Sequence, residues 1–273
     1  MGTDVATAYD ALCEKEWQRL DRQAYSALEF MLTMHYLQQH LPPGGTVLDA
    51  GGGPGRYAIA LCRLGYQVTL LDLSPGNIAT ARARFADEPL AVQANLQGTL
   101  AGDIRALPFG DRQFDIVLCL GGPLSHIPEP EERRQSVNEL VRVAKSGSIV
   151  CLTGIGYLAV LRTIMVEFDH ELTNGSLDHL LADGNTHGPM GMLWHFFRSD
   201  ELRALGEEGG LQTLEMAGLQ SLSTGLEEAT NRLRADEAKW SRWFEELLRH
   251  ASDPGVVDMA EHMLYIGRKP GNP

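Results

Sequence analysis

The chain is poor in the features that announce a metal, a membrane or a nucleic acid. It has four cysteines, Cys13, Cys62, Cys119 and Cys151, widely spaced and mostly inside apolar runs. No pair has C-x-x-C spacing, which argues against zinc and redox roles and for buried thiols in a reducing compartment. No segment approaches the roughly 18 continuous apolar residues of a membrane-spanning helix. The opening MGTDVATAYD has no basic region followed by an apolar run and does not read as a signal peptide. Positive charge is scarce too: 23 Lys and Arg stand against 36 Asp and Glu, a formal net charge of −13. Such a surface repels a phosphate backbone, so nucleic acid is not the expected partner. Arg133, Arg134 and Arg142 share one predicted helix and read as a solvated face. These absences lead to the expectation of a soluble cytoplasmic protein, with no membrane partner; a homo-oligomer is compatible with them.

What is present is an alternation. Thr46–Ala50, Gln67–Asp72, Phe114–Leu120 and Ser148–Thr153 are short runs apolar on both faces, as buried strands of a parallel sheet are; Gly98–Gly102 is a weaker strand. Helical segments fit between them at Arg56–Leu64, Pro75–Phe85 and Glu131–Ala144, the second with Ser74 as N-cap and Pro75 at its first position. The pattern predicts a doubly wound α/β sheet. Residues 8 to 41 carry an apolar helical stripe that ends at Leu41-Pro42-Pro43-Gly44-Gly45. Ser199–Glu208 reads as a helix, Leu211–Leu222 contains a strand, and Met263–Arg268 is a last strand. We expect a helical N-terminal cap over residues 1–45 and a main domain over 46–273. Within it lie a lid insertion at about 157–197 and a helical excursion at about 226–250, long excursions being characteristic of lids and binding loops.

Between the first strand and the first following helix lies Asp49-Ala50-Gly51-Gly52-Gly53-Pro54-Gly55. A glycine-rich turn here brings backbone N–H groups and a helix N-terminus against a ligand. The dinucleotide pattern G-x-G-x-x-G fails, because the register that starts at Gly51 needs glycine where Arg56 stands. The pattern present is D-x-G-x-G-x-G. Asp49, at the strand's carboxyl end, opposes a pyrophosphate and suits an ammonium group. Asp72 ends the second strand, from where a carboxylate accepts from both ribose hydroxyls. Asp103 follows the third strand and can accept from an exocyclic adenine amine. Three acids at consecutive strand ends, with no phosphate-binding residue, describe S-adenosylmethionine.

From Val47 to about Gly154 the sequence resembles the class I S-adenosylmethionine-dependent methyltransferases. VLDAGGGPG resembles the family's first motif, LLDLSP its second-strand acid, GDIRALPF its adenine motif and FDIVLCLGGPLSHI its fourth-strand motif. ELVRVAKSGSIVCLTG and the terminal EHMLYIGRKP resemble the later strands. KSGS at Lys145–Ser148 departs from the usual proline-glycine turn, away from the site. The resemblance implies a seven-stranded Rossmann-like sheet with its last strand antiparallel. It implies that Gly51, Gly53 and Gly55 line the methionine part, Asp72 the ribose, and Asp103 with Ile104 the adenine; Leu73 and Leu120 are further expected cofactor-binding residues.

The acceptor is read from what surrounds that site. Gly121-Gly122-Pro123 offers no acid, amide or aromatic, unlike the nucleobase amino-methyltransferases, and no Pro-Cys dipeptide is available for attack on cytosine; Cys119 reads as core. No Asp/Asn cluster suits a hard cation, so no metal is expected. A small, partly apolar metabolite methylated at N, O or C is the leading reading; tRNA, a protein side chain, or donor binding without chemistry are the alternatives. His126, past the fourth strand, and His195, in the insertion, are the candidate catalytic residues. His187 and His195, flanked by Met190, Met192, Trp194, Phe196 and Phe197, suggest an adaptable apolar wall. Tyr9, Trp17 and Tyr25 are candidates for closing over the donor, and Arg162 or Arg198 for holding an acceptor carboxylate.

Overall fold

A computed structural model describes residues 5–187 and 191–271 of the chain. Seven strands form one sheet: β1 (Thr46–Ala50), β2 (Gln67–Asp72), β3 (Leu96–Ala101), β4 (Phe114–Cys119), β5 (Ala144–Ile155), β8 (Gln212–Gly218) and β9 (His262–Arg268). Their spatial order is β3-β2-β1-β4-β5-β9-β8. The first five run parallel, while β9 is antiparallel to both β5 and β8. The doubly wound seven-stranded sheet expected from the sequence is therefore the fold observed. Strand order reverses between β1 and β4, and the crevice at their carboxyl ends is where such sheets bind ligands.

Alternation along each strand feeds two cores. Val47, Val68, Leu70, Ile116, Leu118 and Cys151 face one side, where α3 (Ala24–His40), α4 (Arg56–Arg63), α5 (Pro75–Ala86) and α12 (Glu237–His250) pack. Leu48, Leu71, Val117, Val150 and Leu152 face the other, under α7 (Pro130–Val143) and α10 (Ser199–Glu208). Strands buried on both faces are apolar throughout, which is why the sequence shows them as runs. Local chemistry sets the helix starts near the crevice. The Ser74 hydroxyl accepts the Asn77 N–H at 3.0 Å and Pro75 fills the first position of α5. Gly55, in the left-handed region at φ +88°, opens α4.

The N-terminal stripe is three helices rather than one, α1 (Val5–Asp10), α2 (Cys13–Arg19) and α3, broken at residues 11–12 and 20–23. A one-turn α6 (Leu90–Gln93) leads into β3, the excursion after β8 likewise splits into α11 (Glu227–Leu233) and α12, and α13 (Pro254–Met259) precedes β9. The insertion holds α8 (Tyr157–Glu167), α9 (Ser176–Asp183) and a hairpin of β6 (Asn185–His187) and β7 (Leu193–His195). Its ends are tied together: Phe197 N donates to Ile155 O at 2.7 Å and Tyr157 N to Phe197 O at 2.8 Å. The segment thus leaves and rejoins the sheet at one point, with its own small core of Tyr157, Ile164, Leu180 and Phe196. No helix of the described residues is long and apolar enough to cross a membrane.

Candidate active site

At the crevice, the glycine loop is laid over the end of β2 by its own amides. Gly51 N and Gly52 N donate to Leu71 O at 2.7 and 3.2 Å, and Gly53 N donates to Asp72 Oδ2 at 2.8 Å. Gly51 has φ +75°, and a Cβ there would stand 2.5 Å from the Pro123 ring, so the loop after β4 packs directly on it. At Gly53, φ +55°, a Cβ would meet nothing closer than Asn77 Nδ2 at 3.9 Å. The space above Gly53 is a cradle that a side chain would fill. It opens into a cavity of about 320 Å³ walled by Gly51–Pro54, Asp72, Leu73, Asp103–Arg105, Leu120, His126 and Glu132. From the N-terminal segment, Val5, Ala6, Tyr9, Glu16 and Arg19 close its remaining side.

Most of the residues singled out in the sequence therefore meet in one place: Gly51, Gly53, Asp72, Leu73, Asp103, Ile104, Leu120 and His126 all line this cavity. Asp72 is nearly buried and already accepts three N–H groups, from Gly53, Ser74 and Asn77. Burial nevertheless holds its carboxyl above the usual range, against those three donors. Asp103 accepts from the Arg105 backbone N–H at 2.8 Å and from its guanidinium at 2.6 to 3.1 Å. Burial acts to raise its pKa and Arg105 outweighs it, leaving the carboxyl below its ordinary value.

Three expectations are corrected. Asp49 does not open on the cavity. It shares a sheet face with Val47 and lies fully buried beneath the loop, so that a Cβ on Gly52 would come within 2.5 Å of its Oδ2. Neither of its oxygens has a hydrogen-bond partner, and burial, then the charge of Asp72, push its pKa up to about 7. Gly55 does not line the cavity either; it serves packing, a Cβ there standing 3.2 Å from that of Ala81 on α5. His195 is not a free base. It is buried, with Nδ1 2.9 Å from Asn185 Oδ1 and Nε2 2.8 Å from Glu201 Oε1, which makes it a strut between the hairpin and α10.

His126 sits in the 3₁₀ turn Pro123–His126, and its Nε2 lies 2.7 Å from the Tyr9 hydroxyl of α1. Its Nδ1 is buried without a partner, and burial pushes its pKa down to about 4, so the ring is neutral at physiological pH. Trp194 packs against it, ring centroids 4.6 Å apart. Met192, Phe196 and Phe197 are buried in the insertion and its root and do not line the cavity; Met190 lies outside the described residues. His187 is on an exposed strand position, Nδ1 3.2 Å from Gly191 O. Trp17 lies under the guanidinium groups of Arg56 and Arg84, and Tyr25 hydrogen-bonds Glu261 and Gly225, both outside the cavity wall. Arg198 covers the Tyr157 ring and Arg162 lies beside Gly225, so neither reaches the cavity.

The sequence reading passed over Asp10 and Arg19. Asp10 Oδ1 accepts from the Ser74 hydroxyl and, at 2.8 Å, from Gly76 N, fastening α1 to the start of α5. Arg19 lines the cavity while its guanidinium reaches Glu29 at 2.5 and 3.1 Å and Glu16 at 3.2 Å. An apolar stripe gives no hint of either; the one available signal was an arginine on the cap facing an acidic site. Among the described residues, no three His, Cys, Asp or Glu side chains come together as a metal-binding group.

Comparison with known proteins places this geometry. Residues 47–147 match a family model described as a methyltransferase domain. The chain is 27% identical over 187 residues to the ubiquinone biosynthesis O-methyltransferase of Xanthomonas axonopodis pv. citri, covering 68% of this chain and 71% of that one. Its fold is similar to an S-adenosylmethionine-dependent methyltransferase of Methanosarcina mazei (TM-score 0.62, 19% identity, 87% of this chain and 98% of that one). It is also similar to the Burkholderia thailandensis 1,6-didemethyltoxoflavin-N1-methyltransferase, solved with 1,6-didemethyltoxoflavin and S-adenosylhomocysteine (TM-score 0.53, 15% identity, 99% and 92%). Sheet order, motif order and family match agree: residues 47–147 form a methyltransferase domain, and the chain has the fold of the S-adenosylmethionine-dependent methyltransferases.

Proposed function

We propose that the chain methylates an N, O or C atom of a small, partly apolar metabolite, without a metal, at the end of the cavity where Tyr9 meets His126. The observation that carries this reading is the composition of the cavity wall: α1, the end of α2 and the loop after β4 bring Val5, Ala6, Leu20, Ile127 and Pro128 together around one Tyr–His pair. Such mostly apolar walls with few convergent polar groups suit an organic acceptor. Names among the relatives point the same way, one a ubiquinone biosynthesis O-methyltransferase and one a 1,6-didemethyltoxoflavin-N1-methyltransferase.

The cradle at Gly53 and the acids around it fit S-adenosylmethionine, which supplies an activated methyl group on a sulfonium. Gly51 and Gly53 would admit the methionine part close to backbone. Beside its three N–H donors, Asp72 keeps one lone pair, on Oδ2, for a ribose hydroxyl. Leu73, Ile104 and Leu120 would flank the base, with Asp103 at its edge, and Arg19 stands where a methionine carboxylate could be held. Methyl transfer is in-line displacement, so most of what these residues contribute is positioning, worth several kcal/mol of the barrier in well-aligned systems. His126 is neutral and hydrogen-bonded to Tyr9, so the pair can orient a protonated nucleophile. Residues 5–45 serve in this reading as a cap, and the insertion supports His126 through Trp194.

Incubation with methyl-labelled donor and a metabolite extract tests the proposal. Label in small molecules supports it. Label in RNA or protein, or none at all, overturns it.

A further inference from the structure

We propose that Asp49 makes the site prefer the methyl donor to the demethylated product, by releasing its proton when a cationic sulfonium ligand fills the cavity and regaining it when the ligand is a neutral thioether. The inference rests on the donor assignment above.

The geometry is that of a carboxyl group prepared for this. Asp49 is fully buried with both oxygens unpartnered, although a carboxylate so placed ordinarily collects hydrogen bonds. Every loop amide that could serve it is committed elsewhere: Gly51 N and Gly52 N to Leu71 O, Gly53 N to Asp72, Gly55 N to Gly52 O. Pro54 has none. Of the groups around it, the Ala58 N–H in the first turn of α4 favours the charged form, against burial and Asp72. The Gly52 backbone lies between the carboxyl and the cavity: Gly52 lines the cavity, and its Cβ position is 2.5 Å from Asp49 Oδ2. A charge arriving there acts on Asp49 through one thickness of backbone.

The titratable groups facing Asp49 are Asp72 at the end of β2, Tyr57 and Cys62 on α4, and Cys119 on β4. Burial pushes Cys62 up to about 12 and raises Tyr57 and Cys119 as well, so all three stay neutral near pH 7. Asp72 has three N–H donors, whereas Asp49 has only the Ala58 N–H nearby and no hydrogen bond, so of the two carboxyls it is Asp49 that holds a proton.

The sign follows from the charges. With its pKa near 7 in the free protein, Asp49 is mostly protonated at pH 6.5. A positive charge within about 4–6 Å lowers a carboxyl pKa by about 1–3 units, so donor binding expels the proton and donor affinity rises with pH through this window. The product has lost the sulfonium charge with its methyl group. That charge has passed to the acceptor and leaves as the acceptor's proton, while Asp49 takes its own proton back from solvent.

Calorimetry at pH 6.5 in two buffers of different ionisation enthalpy reads the protons released. For S-adenosylmethionine we expect about half a proton or more, for S-adenosylhomocysteine, which keeps the methionine ammonium and carboxylate but not the sulfonium charge, distinctly less, and for Asp49→Asn no difference between the two ligands. Equal release for both ligands in the wild-type protein, or a difference that survives in Asp49→Asn, overturns the inference while leaving the donor assignment standing. Failure of both ligands to bind overturns both. Should Asp49→Asn not fold, infrared spectroscopy of the wild type decides. The C=O band of a protonated carboxyl must be bleached by the donor and kept with the product; a band indifferent to the ligand refutes the inference.

Discussion

The hydroxyl of Tyr9 and Nε2 of His126 lie 2.7 Å apart across 117 residues of sequence. Through this contact the first helix closes the cavity whose floor is the glycine loop. Tyr9→Phe keeps the ring and removes the hydrogen bond, leaving both nitrogens of a half-buried imidazole without a partner. We expect a fall in turnover of about tenfold, equivalent to about 1.4 kcal/mol, with donor affinity changed less. Steady-state kinetics with separate donor titrations checks this; an equal loss in both would make Tyr9 part of the donor pocket alone.

Asp72 organises the loop as well as facing the cavity, since it accepts from Gly53, Ser74 and Asn77. Asp72→Ala is therefore expected to weaken S-adenosylmethionine binding by at least about 1–3 kcal/mol, the cost of leaving polar groups unpaired. Calorimetry showing unchanged affinity would remove Asp72 from the site.

His126 predicts a stability change with pH. Burial pushes its pKa down to about 4 from an ordinary 6.5, so between those values the unfolded chain holds a proton that the folded chain does not. Its contribution to stability is present above about pH 6.5 and is lost as pH falls towards 4. Denaturant melts of His126→Gln across that window should show a shallower decline than wild type; parallel curves would mean His126 does not titrate in this way.

His195 and Phe197 are expected to be structural. Phe197 is 1% exposed at the root of the insertion, and Phe197→Ala should cost about 3–5 kcal/mol of stability. His195→Ala leaves Asn185 Oδ1 without its partner and Glu201 with Arg133 alone, at 3.4 Å, and should cost about 1–3 kcal/mol. In both variants, donor affinity measured well below the melting temperature should stay within about twofold of wild type. A selective loss of turnover in His195→Ala, with stability intact, would restore His195 as a catalytic candidate.

Turnover is expected to survive EDTA, in keeping with the neutral Gly121-Gly122-Pro123 end of β4. Loss on chelation with recovery on adding magnesium would contradict it.

How far the site was legible depends on which physical signal each residue carries. β1, β2 and α10 fell where apolar runs and periodicity placed them, because strands buried on both faces and an amphipathic helix mark themselves locally. Asp72, Asp103 and His126 were found because chain position at a strand end fixes where a Cα lies in this fold. The same signal misled at Asp49, since position does not say to which side of the loop a side chain points, and this one points under it. His195 failed for another reason: its partners, Asn185 across the hairpin and Glu201 on the next helix, are brought to it by tertiary structure. Arg19 was missed because its partner Glu29 lies ten residues on, across a helix break, at no helical spacing.

The placement of β9 has a consequence for biosynthesis. This strand is late in the sequence yet sits between β5 and β8, and its residues Met263 to Ile266 are wholly buried. While a ribosome is still adding residues before His262, β8 has no neighbour to pair with and the edge of β5 stays open. The five parallel strands can assemble as they emerge, but the far third of the sheet waits for residues 262–268. A nascent chain stalled in that interval exposes two unpaired strand edges, the kind of surface that invites misassociation or capture by a chaperone.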